Sequence, residues 1–280
     1  MARRFQLVDV FNERPLSGNP LAVVFDADDM SGEQMQHLTH WLNYSETTFV
    51  LSPTTPDADY RVRIVTLDRE LPFAGHPTLG TCHAWLQAGG RPRDAGLIVQ
   101  QCAAGLIAVR NSGMMLAFAA PPLLRGGDVE EVLLQRIAAF LRIGRSQIVA
   151  AQWADNGPGW VAVLLESADA VLALQPQHSY PGQLDLGVVG PCAPGGATQF
   201  ELRAFFSDPQ GGIREDPVTG SLNASVAQWL LATGLARAPY LASQGTRLGC
   251  TGRIHISTDD AGAIWVGGRS TTILSGEYLG

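Results

Sequence analysis

Two short segments place an ionisable side chain directly before a proline, at the start of an apolar run. They are GHPTLGT, residues 75–81, and EDPVTGS, residues 215–221. His76 and Asp216 precede the prolines, and a glycine follows each of them four residues later. Histidine and aspartate can hold or exchange protons with a bound molecule. The pattern predicts two buried helices, offset by 140 residues, that begin beside polar side chains.

These helix starts also have the composition of anion-binding sites. Pro77 and Pro217 suit a first helical turn, because an N–H group has no helical partner there. Gly80 and Gly220 would leave the neighbouring backbone amides little shielded, and amides at a helix start attract anions. We therefore expect the two helix starts to bind the carboxylate of a substrate. Asp216 is also interpretable as a helix N-cap, a role that aspartate fills well.

The composition excludes several classes of protein. The 280 residues carry a net charge of -7, so we expect no nucleic acid partner. The chain contains no lysine, which excludes pyridoxal phosphate enzymes and P-loop nucleotide-binding proteins. No apolar run approaches ~18 residues and the first residues do not resemble a signal peptide. We therefore expect a cytoplasmic protein with no membrane partner.

Metal and thiol chemistry have little support in the sequence. His37 and His40 stand three residues apart without a further ligand nearby, so we predict no metal site. The cysteines are scattered, with no CxxC spacing, and free thiols are expected. They are Cys82, Cys102, Cys192 and Cys250.

The remaining pattern is mostly short strands with few helices. In the strand predicted for NYSETTFV, alternation puts Tyr44, Glu46 and Thr48 on one face. A strand glutamate taken alone is most often a solvent-facing residue. PPLLRGGD, residues 121–128, is the predicted linker between two similar halves. We therefore predict one domain from 1–120 plus 268–280, and a second domain from 121–267.

Five segments together carry a family resemblance. GNPLAVV, NYSETTFV, LPFAGHPTLGT, REDPVTGS and QGTRLGCTGR resemble the PhzF family of phenazine biosynthesis-like isomerases, which shares the fold of diaminopimelate epimerase. The resemblance implies an α+β fold with two pseudo-symmetric domains, each a β-barrel-like sheet around a central helix. It places the active site between the domains and returns the C-terminal strand to the first domain.

The resemblance also implies roles for individual residues. The glutamate of the SET motif falls on Glu46 and would be the acid/base that carries the proton. The residues that would orient a small anionic metabolite are Asn19, Gly75, His76, Asp216, Gly220 and Ser221. No cofactor and no metal are implied, and a homodimer is expected.

The residues at the two helix starts favour one reaction type. Cysteine-dependent epimerases of this fold use paired thiols, which these helix starts lack. A single group such as Glu46 can move a proton between two carbons on one face, as in trans-2,3-dihydro-3-hydroxyanthranilate isomerase.

Asn223 stands where phenazine-type members tend to have histidine, so the substrate could differ. A two-base epimerase using Glu46 and Asp216, and a non-enzymatic binding or scaffolding protein, stay open. A hydrolase has little support because no GxSxG motif occurs.

Overall fold

The computed structural model describes residues 2–208 and 211–280. It divides into two compact units: the N unit comprises Met1–Ala119 and Trp265–Gly280, and the C unit comprises Ala120–Ile264. None of the helices in the described residues is long and apolar enough to cross a membrane.

The strands and helices are numbered here in chain order. They are β1 (Arg3–Val10), β2 (Asn19–Val24), α1 (Gly32–Leu42), β3 (Glu46–Leu51), β4 (Tyr60–Thr66), β5 (Glu70–Leu71), α2 (Gly75–Gln87), β6 (Leu97–Cys102), β7 (Gly105–Asn111), β8 (Leu116–Ala119), α3 (Glu131–Leu141), β9 (Ala150–Trp153), β10 (Val161–Leu164), α4 (Ala168–Ala173), β11 (Asp185–Pro191), β12 (Phe200–Ser207), β13 (Ile213–Asp216), α5 (Gly220–Ala232), β14 (Tyr240–Gln244), β15 (Gly252–Thr258), β16 (Ile264–Gly268) and β17 (Ser270–Tyr278).

In the N unit the strands surround a single buried helix. β1 pairs antiparallel with β2 on one side and with β17 on the other, which attaches the C-terminal segment to the first strand. β2 continues in parallel to β3, and β3 pairs antiparallel with β4. Every residue of α2 from Gly75 to Cys82 is buried. α1 lies outside this arrangement. The spacing of Ser31 and Gln34 in the sequence predicts a capping box, and this box is present at the start of α1.

In the C unit the second buried apolar helix is α5, which corresponds to α2 of the N unit. Its residues from Gly220 to Ala227 are all buried. β12 pairs antiparallel with β11 and β13 and parallel with β14. α3 and α4 pack on a separate core that contains Phe140, Val171 and Phe205. Both central helices are therefore buried over their first eight residues.

The position of the second helix start corrects the sequence analysis. α2 begins at Gly75 and holds Pro77 in its first turn, as predicted, but α5 begins only at Gly220. Pro217 therefore lies before the helix, because proline favours an extended residue ahead of it. Asp216 is that residue: it ends β13, paired opposite Ala204. The two helix starts are offset by 145 residues, not 140.

Gly80 also differs from the prediction. It is the sixth residue of α2 and lies beyond the first turn. A Cβ atom there would lie 2.6 Å from Leu21 Cδ2 and 2.7 Å from Val10 Cγ2. Its small size allows the helix to approach β1 and β2 closely, and it does not serve to expose amides at the helix start.

Candidate active site

Three of the predicted residues converge in the N unit. Asn19 and Glu46 are the first residues of β2 and β3, and parallel pairing of these strands brings their starts to the same edge. His76 is the second residue of α2. Its Nε2 lies 3.6 Å from Glu46 Oε2, and its Nδ1 lies 3.4 Å from Asn19 Nδ2. The imidazole therefore lies between an amide and a carboxylate.

The imidazole of His76 is neutral near pH 7. Burial lowers the pKa of His76 to about 3, because the charged ring would lose its hydration. Asn19 Nδ2 carries hydrogens and can only donate, so Nδ1 of His76 is the acceptor in that contact. The ring hydrogen is then on Nε2, the nitrogen that faces Glu46. His76 can donate a hydrogen bond at this edge without placing a positive charge there.

The carboxylate of Glu46 is mostly enclosed, with 14% of its side chain exposed. Thr48, two residues along β3, accepts a hydrogen bond from Thr81 of α2 at 2.8 Å. Glu46 and Thr48 thus both face the buried helix, as strand alternation predicts. This placement sets Glu46 apart from a solvent-facing strand glutamate.

The loop before Asn19 is fixed by a residue that sequence reasoning missed. The carboxylate of Asp9 accepts hydrogen bonds from Ser17 N at 3.0 Å and from Gly18 N at 2.8 Å. A Cβ atom at Gly18 would lie 2.1 Å from Val10 O, so only glycine fits this approach. The SGN sequence after an aspartate-containing strand was the available signal. Asp9 and Gly18 together place Asn19 at the start of β2.

Two buried polar side chains, linked by hydrogen bonds, support the start of α2. Ala74, the residue before the helix, has no polar side chain to cap it. Its carbonyl oxygen accepts a hydrogen bond from Thr78 Oγ1 at 2.9 Å. Gln100 Nε2 donates in turn to Thr78 Oγ1 at 2.9 Å. The amides of Gly75 and His76 thus stand at a helix start whose position is fixed by side chains.

In the C unit Asp216 is buried and is not the helix cap. Thr219 precedes α5, and its hydroxyl donates to Asp216 Oδ2 at 2.5 Å. Gln244 Nε2 donates to the carbonyl oxygen of Asp216 at 3.1 Å, and Gln244 Oε1 accepts from Thr219 N at 3.0 Å. Asp216 is therefore held at the end of β13 through both its backbone and its side chain.

Ser221 is the second residue of α5 and is held by two residues that the sequence did not single out. Trp160 Nε1 donates to Ser221 Oγ at 3.1 Å, and Asn156 Nδ2 donates to Ser221 O at 2.8 Å. Both come from the NGPGW segment, residues 156–160. Gly220 begins the helix beside Ser221. The C unit thus brings Asp216, Gly220 and Ser221 into one short segment.

Asn223 has a structural task. Its Nδ2 donates to Thr219 O and to Gln244 Oε1, each at 2.9 Å. The side chain is almost fully buried. Asn223 therefore supports the helix start through its side chain.

The two acids of the EDP motif have separate roles. The carboxylate of Glu215 accepts two hydrogen bonds from the Arg203 guanidinium, at 2.8 and 2.7 Å. Arg203 also donates to the carbonyl oxygen of Leu174, just past α4, at 2.9 Å. Glu215 thus anchors β13, while the neighbouring Asp216 carries the carboxylate beside α5.

Other candidates do not join these groups. All four cysteines are free thiols, and burial raises the pKa of Cys82 to about 12, so this thiol is unreactive near pH 7. His40 lies on the exposed side of α1 and contacts the carbonyl oxygen of Leu67. Within residues 2–208 and 211–280, no three His, Cys, Asp or Glu side chains are grouped to hold a metal ion.

Comparison with known proteins gives consistent matches. The PhzC-PhzF family, described as phenazine biosynthesis-like protein, matches residues 8–276. The chain is 35% identical over 295 residues to trans-2,3-dihydro-3-hydroxyanthranilate isomerase of Pseudomonas aeruginosa, covering 99% of each chain. It is 34% identical over 297 residues to antisense-enhancing sequence 1 of Schizosaccharomyces pombe, covering 98% of this chain and 97% of that protein.

Two solved structures show the fold. A PhzF family protein of Bacillus anthracis has a TM-score of 0.80 at 20% identity, covering 100% of this chain and 99% of the other. A hydroxyproline epimerase of Agrobacterium vitis has a TM-score of 0.59 at 14% identity, covering 99% and 92%. The predicted α+β, diaminopimelate epimerase-like fold is confirmed, and the isomerase names of the relatives support an isomerase. The chain belongs to the PhzC-PhzF family of phenazine biosynthesis-like proteins.

Proposed function

We propose that this protein is a cofactor-independent isomerase that moves one proton between two carbons of a small carboxylate-bearing metabolite. Glu46 would be the acid/base. The observation that carries the proposal is the contact of Glu46 Oε2 with Nε2 of the neutral His76, 3.6 Å away. The printed activity of the P. aeruginosa relative suggests a substrate similar to trans-2,3-dihydro-3-hydroxyanthranilate.

The proton transfer follows from the charges at this edge of the N unit. The Glu46 carboxylate takes a proton from one carbon, and the electron pair released shifts the double bond along the substrate. Protonated Glu46 then returns a proton to the carbon at the other end of the shifted bond. His76 stays neutral throughout, because its pKa of about 3 keeps it from competing for the proton. Its Nε2–H group remains available as a hydrogen-bond donor.

Substrate binding is assigned to the two helix starts. The amides of Gly75 and Gly220 and the hydroxyl of Ser221 can donate to a carboxylate. The Asp216 carboxylate can accept from an amino or hydroxyl group of the substrate, and Asn19 holds the His76 ring in the orientation this requires. We also propose that the N and C units correspond to the two domains of the family, and that the protein is a homodimer.

The test is a reaction in deuterated water. The protein is incubated with trans-2,3-dihydro-3-hydroxyanthranilate, and NMR and mass spectrometry follow the double bond and the deuterium content. We expect the double bond to move, with deuterium at the receiving carbon to the extent that protonated Glu46, whose side chain is 14% exposed, exchanges with solvent before it returns the proton. Glu46→Gln should abolish this reaction, and Glu166→Gln, at an exposed glutamate, should not change it. Normal turnover by Glu46→Gln would contradict the proposal, and inversion at one carbon without bond movement would indicate an epimerase.

A further inference from the structure

The hydroxyl of Ser221 receives a hydrogen bond from the indole of Trp160. Trp160 Nε1 donates to Ser221 Oγ at 3.1 Å, and the two residues are 4% and 5% exposed. An indole nitrogen can only donate, so Ser221 Oγ is the acceptor. The single hydroxyl hydrogen of Ser221 finds no acceptor within residues 2–208 and 211–280. Ser221 therefore keeps one hydrogen to donate, and the indole prevents that hydrogen from pointing toward Trp160.

Trp160 is the last residue of a closed turn, residues 154–160. The first and last residues of this turn are joined by a backbone hydrogen bond of 2.9 Å. Inside the turn, Asp155 Oδ1 accepts from Gly157 N and Gly159 N, each at 2.7 Å. Both glycines have a positive φ, 144° and 105°, which residues with a Cβ atom rarely adopt. The backbone that carries the indole is therefore fixed by contacts within the turn itself.

We infer that Trp160 is a positioning residue that keeps the Ser221 hydroxyl as a donor to the substrate. This inference rests on the proposed function, in which Ser221 binds the substrate carboxylate. The indole occupies one lone pair of Ser221 Oγ and excludes the hydroxyl rotamer that would point there. A hydrogen bond accepted by the oxygen also polarises its O–H group, which makes the hydroxyl a stronger donor. Asn156 of the same turn holds the backbone, because its Nδ2 donates to Ser221 O at 2.8 Å.

The first test observes this hydrogen bond from the indole side by NMR. The probe is 3-hydroxyanthranilate, and the Nε1–H resonance of Trp160 is followed from the free to the saturated protein. When the probe accepts the hydroxyl hydrogen, Ser221 Oγ becomes a stronger acceptor, so we expect this resonance to move downfield. In Ser221→Ala the downfield shift should be lost, and any shift that remains measures the ring current of the probe. The indole of Trp153, which donates to Glu130, is the matched control and should not shift.

The second test is a double-mutant cycle on ligand preference. The probes are 3-hydroxyanthranilate and 2-amino-3-hydroxybenzamide, which differ in having a carboxylate or a carboxamide, and titration calorimetry gives their Kd values. We expect Trp160→Phe to lower the preference for the carboxylate about threefold to tenfold, as the loss of one modest hydrogen-bond contribution would. In the Ser221→Ala background the same change should have an effect of less than about twofold, because the indole acts through Ser221. Trp153→Phe should leave the preference unchanged.

The outcomes separate the positioning role from the function on which it rests. An equal effect of Trp160→Phe with and without the Ser221 hydroxyl would show that Trp160 only maintains the fold, and would overturn the positioning role alone. An Nε1–H shift of the same size in the wild type and in Ser221→Ala would do the same, and this comparison does not require Trp160→Phe to fold. A wild-type protein that binds carboxylate and carboxamide equally would overturn both the positioning role and the binding of a carboxylate by Ser221.

Discussion

The starts of α2 and α5 are built alike. Each helix has thirteen residues, begins with glycine and is supported by a fully buried glutamine from its own unit. In each, a side chain four residues after the capping position donates to the carbonyl oxygen of that position: Thr78 to Ala74, and Asn223 to Thr219. The shared part is therefore a device that fixes the position of backbone amides at a helix start.

The two starts differ in the side chains beside them. In the N unit the second helical residue is His76, neutral and 3.6 Å from the Glu46 carboxylate. In the C unit it is Ser221, and the neighbouring carboxylate of Asp216 is engaged by Thr219. We infer that similar supports serve different tasks: proton transfer beside α2 and substrate binding beside α5.

The largest effect should come from replacing the two carboxylates. Glu46→Gln keeps the size of the side chain but cannot accept a proton, so kcat should fall by ~10⁴-fold or more. Asp216→Asn should instead raise KM about tenfold to a hundredfold, because a charged acceptor is lost while proton transfer is retained. Steady-state kinetics of both variants provide the measurement.

The same pair of variants tests the division of tasks. Circular dichroism of each variant controls for folding, and binding of 3-hydroxyanthranilate separates affinity from turnover. We expect Glu46→Gln to bind this probe nearly as well as the wild type does. If both variants lost only affinity, the comparison between the helix starts would be wrong and a binding protein would be the better description.

A second effect concerns the neutral histidine. The pKa of His76 is about 3 in the folded protein and near 6.5 when unfolded, so the unfolded state binds more protons between these values. Its contribution to stability is complete above pH 6.5 and is lost as the pH falls, by about 2 kcal/mol at pH 5. His76→Gln should therefore lose less stability than the wild type between pH 7 and pH 5. Urea unfolding at both pH values measures this difference.

His83 serves as an internal reference for that measurement. Burial also lowers its pKa, but it is present in both proteins, so its contribution cancels in the comparison. An equal loss of stability in the wild type and in His76→Gln would show that His76 is not held neutral. The tautomer derived from its contact with Asn19 would then be wrong as well.

The sequence predicted local features better than the register of the second helix. The capping box at Ser31 and the facing of Glu46 both follow from short-range patterns and are present in the structure. The start of α5 does not follow from the DP motif, because pairing of Asp216 with Ala204 extends the strand up to the proline. Such pairing joins residues distant in sequence, which local composition cannot supply.

The supporting residues could not be predicted for a related reason. Gln100 and Gln244 look like ordinary strand polar residues in the sequence, and only the folded chain shows them beneath helix starts. Trp160 lies in a glycine-rich turn segment and reaches Ser221 from 61 residues away. Residues in motifs were therefore identifiable, whereas the residues that hold them were not.

A third, smaller effect should show whether Gly80 allows close packing of α2 or instead exposes backbone amides. Gly80→Ala would place a Cβ atom 2.6 Å from Leu21 Cδ2, forcing the helix or β2 to shift. We expect a loss of about 1 to 3 kcal/mol in the free energy of unfolding. Gly96→Ala is the matched control, since its nearest new contact would be an ordinary 3.5 Å to Asp94. Equal stability of the two variants would contradict the packing role of Gly80.

The smallest effects separate the two buried serines of α5. Ser221→Ala leaves the indole N–H of Trp160 buried without its acceptor, which should cost about 1 to 2 kcal/mol of stability. Ser225 bonds only to carbonyl oxygens within the helix, those of Ser221 and Leu222, so Ser225→Ala should change stability by less than about 0.5 kcal/mol. Urea unfolding measures both changes, and Trp160→Phe combined with Ser221→Ala should recover part of the larger one, because the unpaired donor is then removed. If the double variant recovered no stability, the free-energy cost of Ser221→Ala would come from the helix start itself and not from the unpaired indole of Trp160. The supports of the two helix starts would then differ less than the structure indicates.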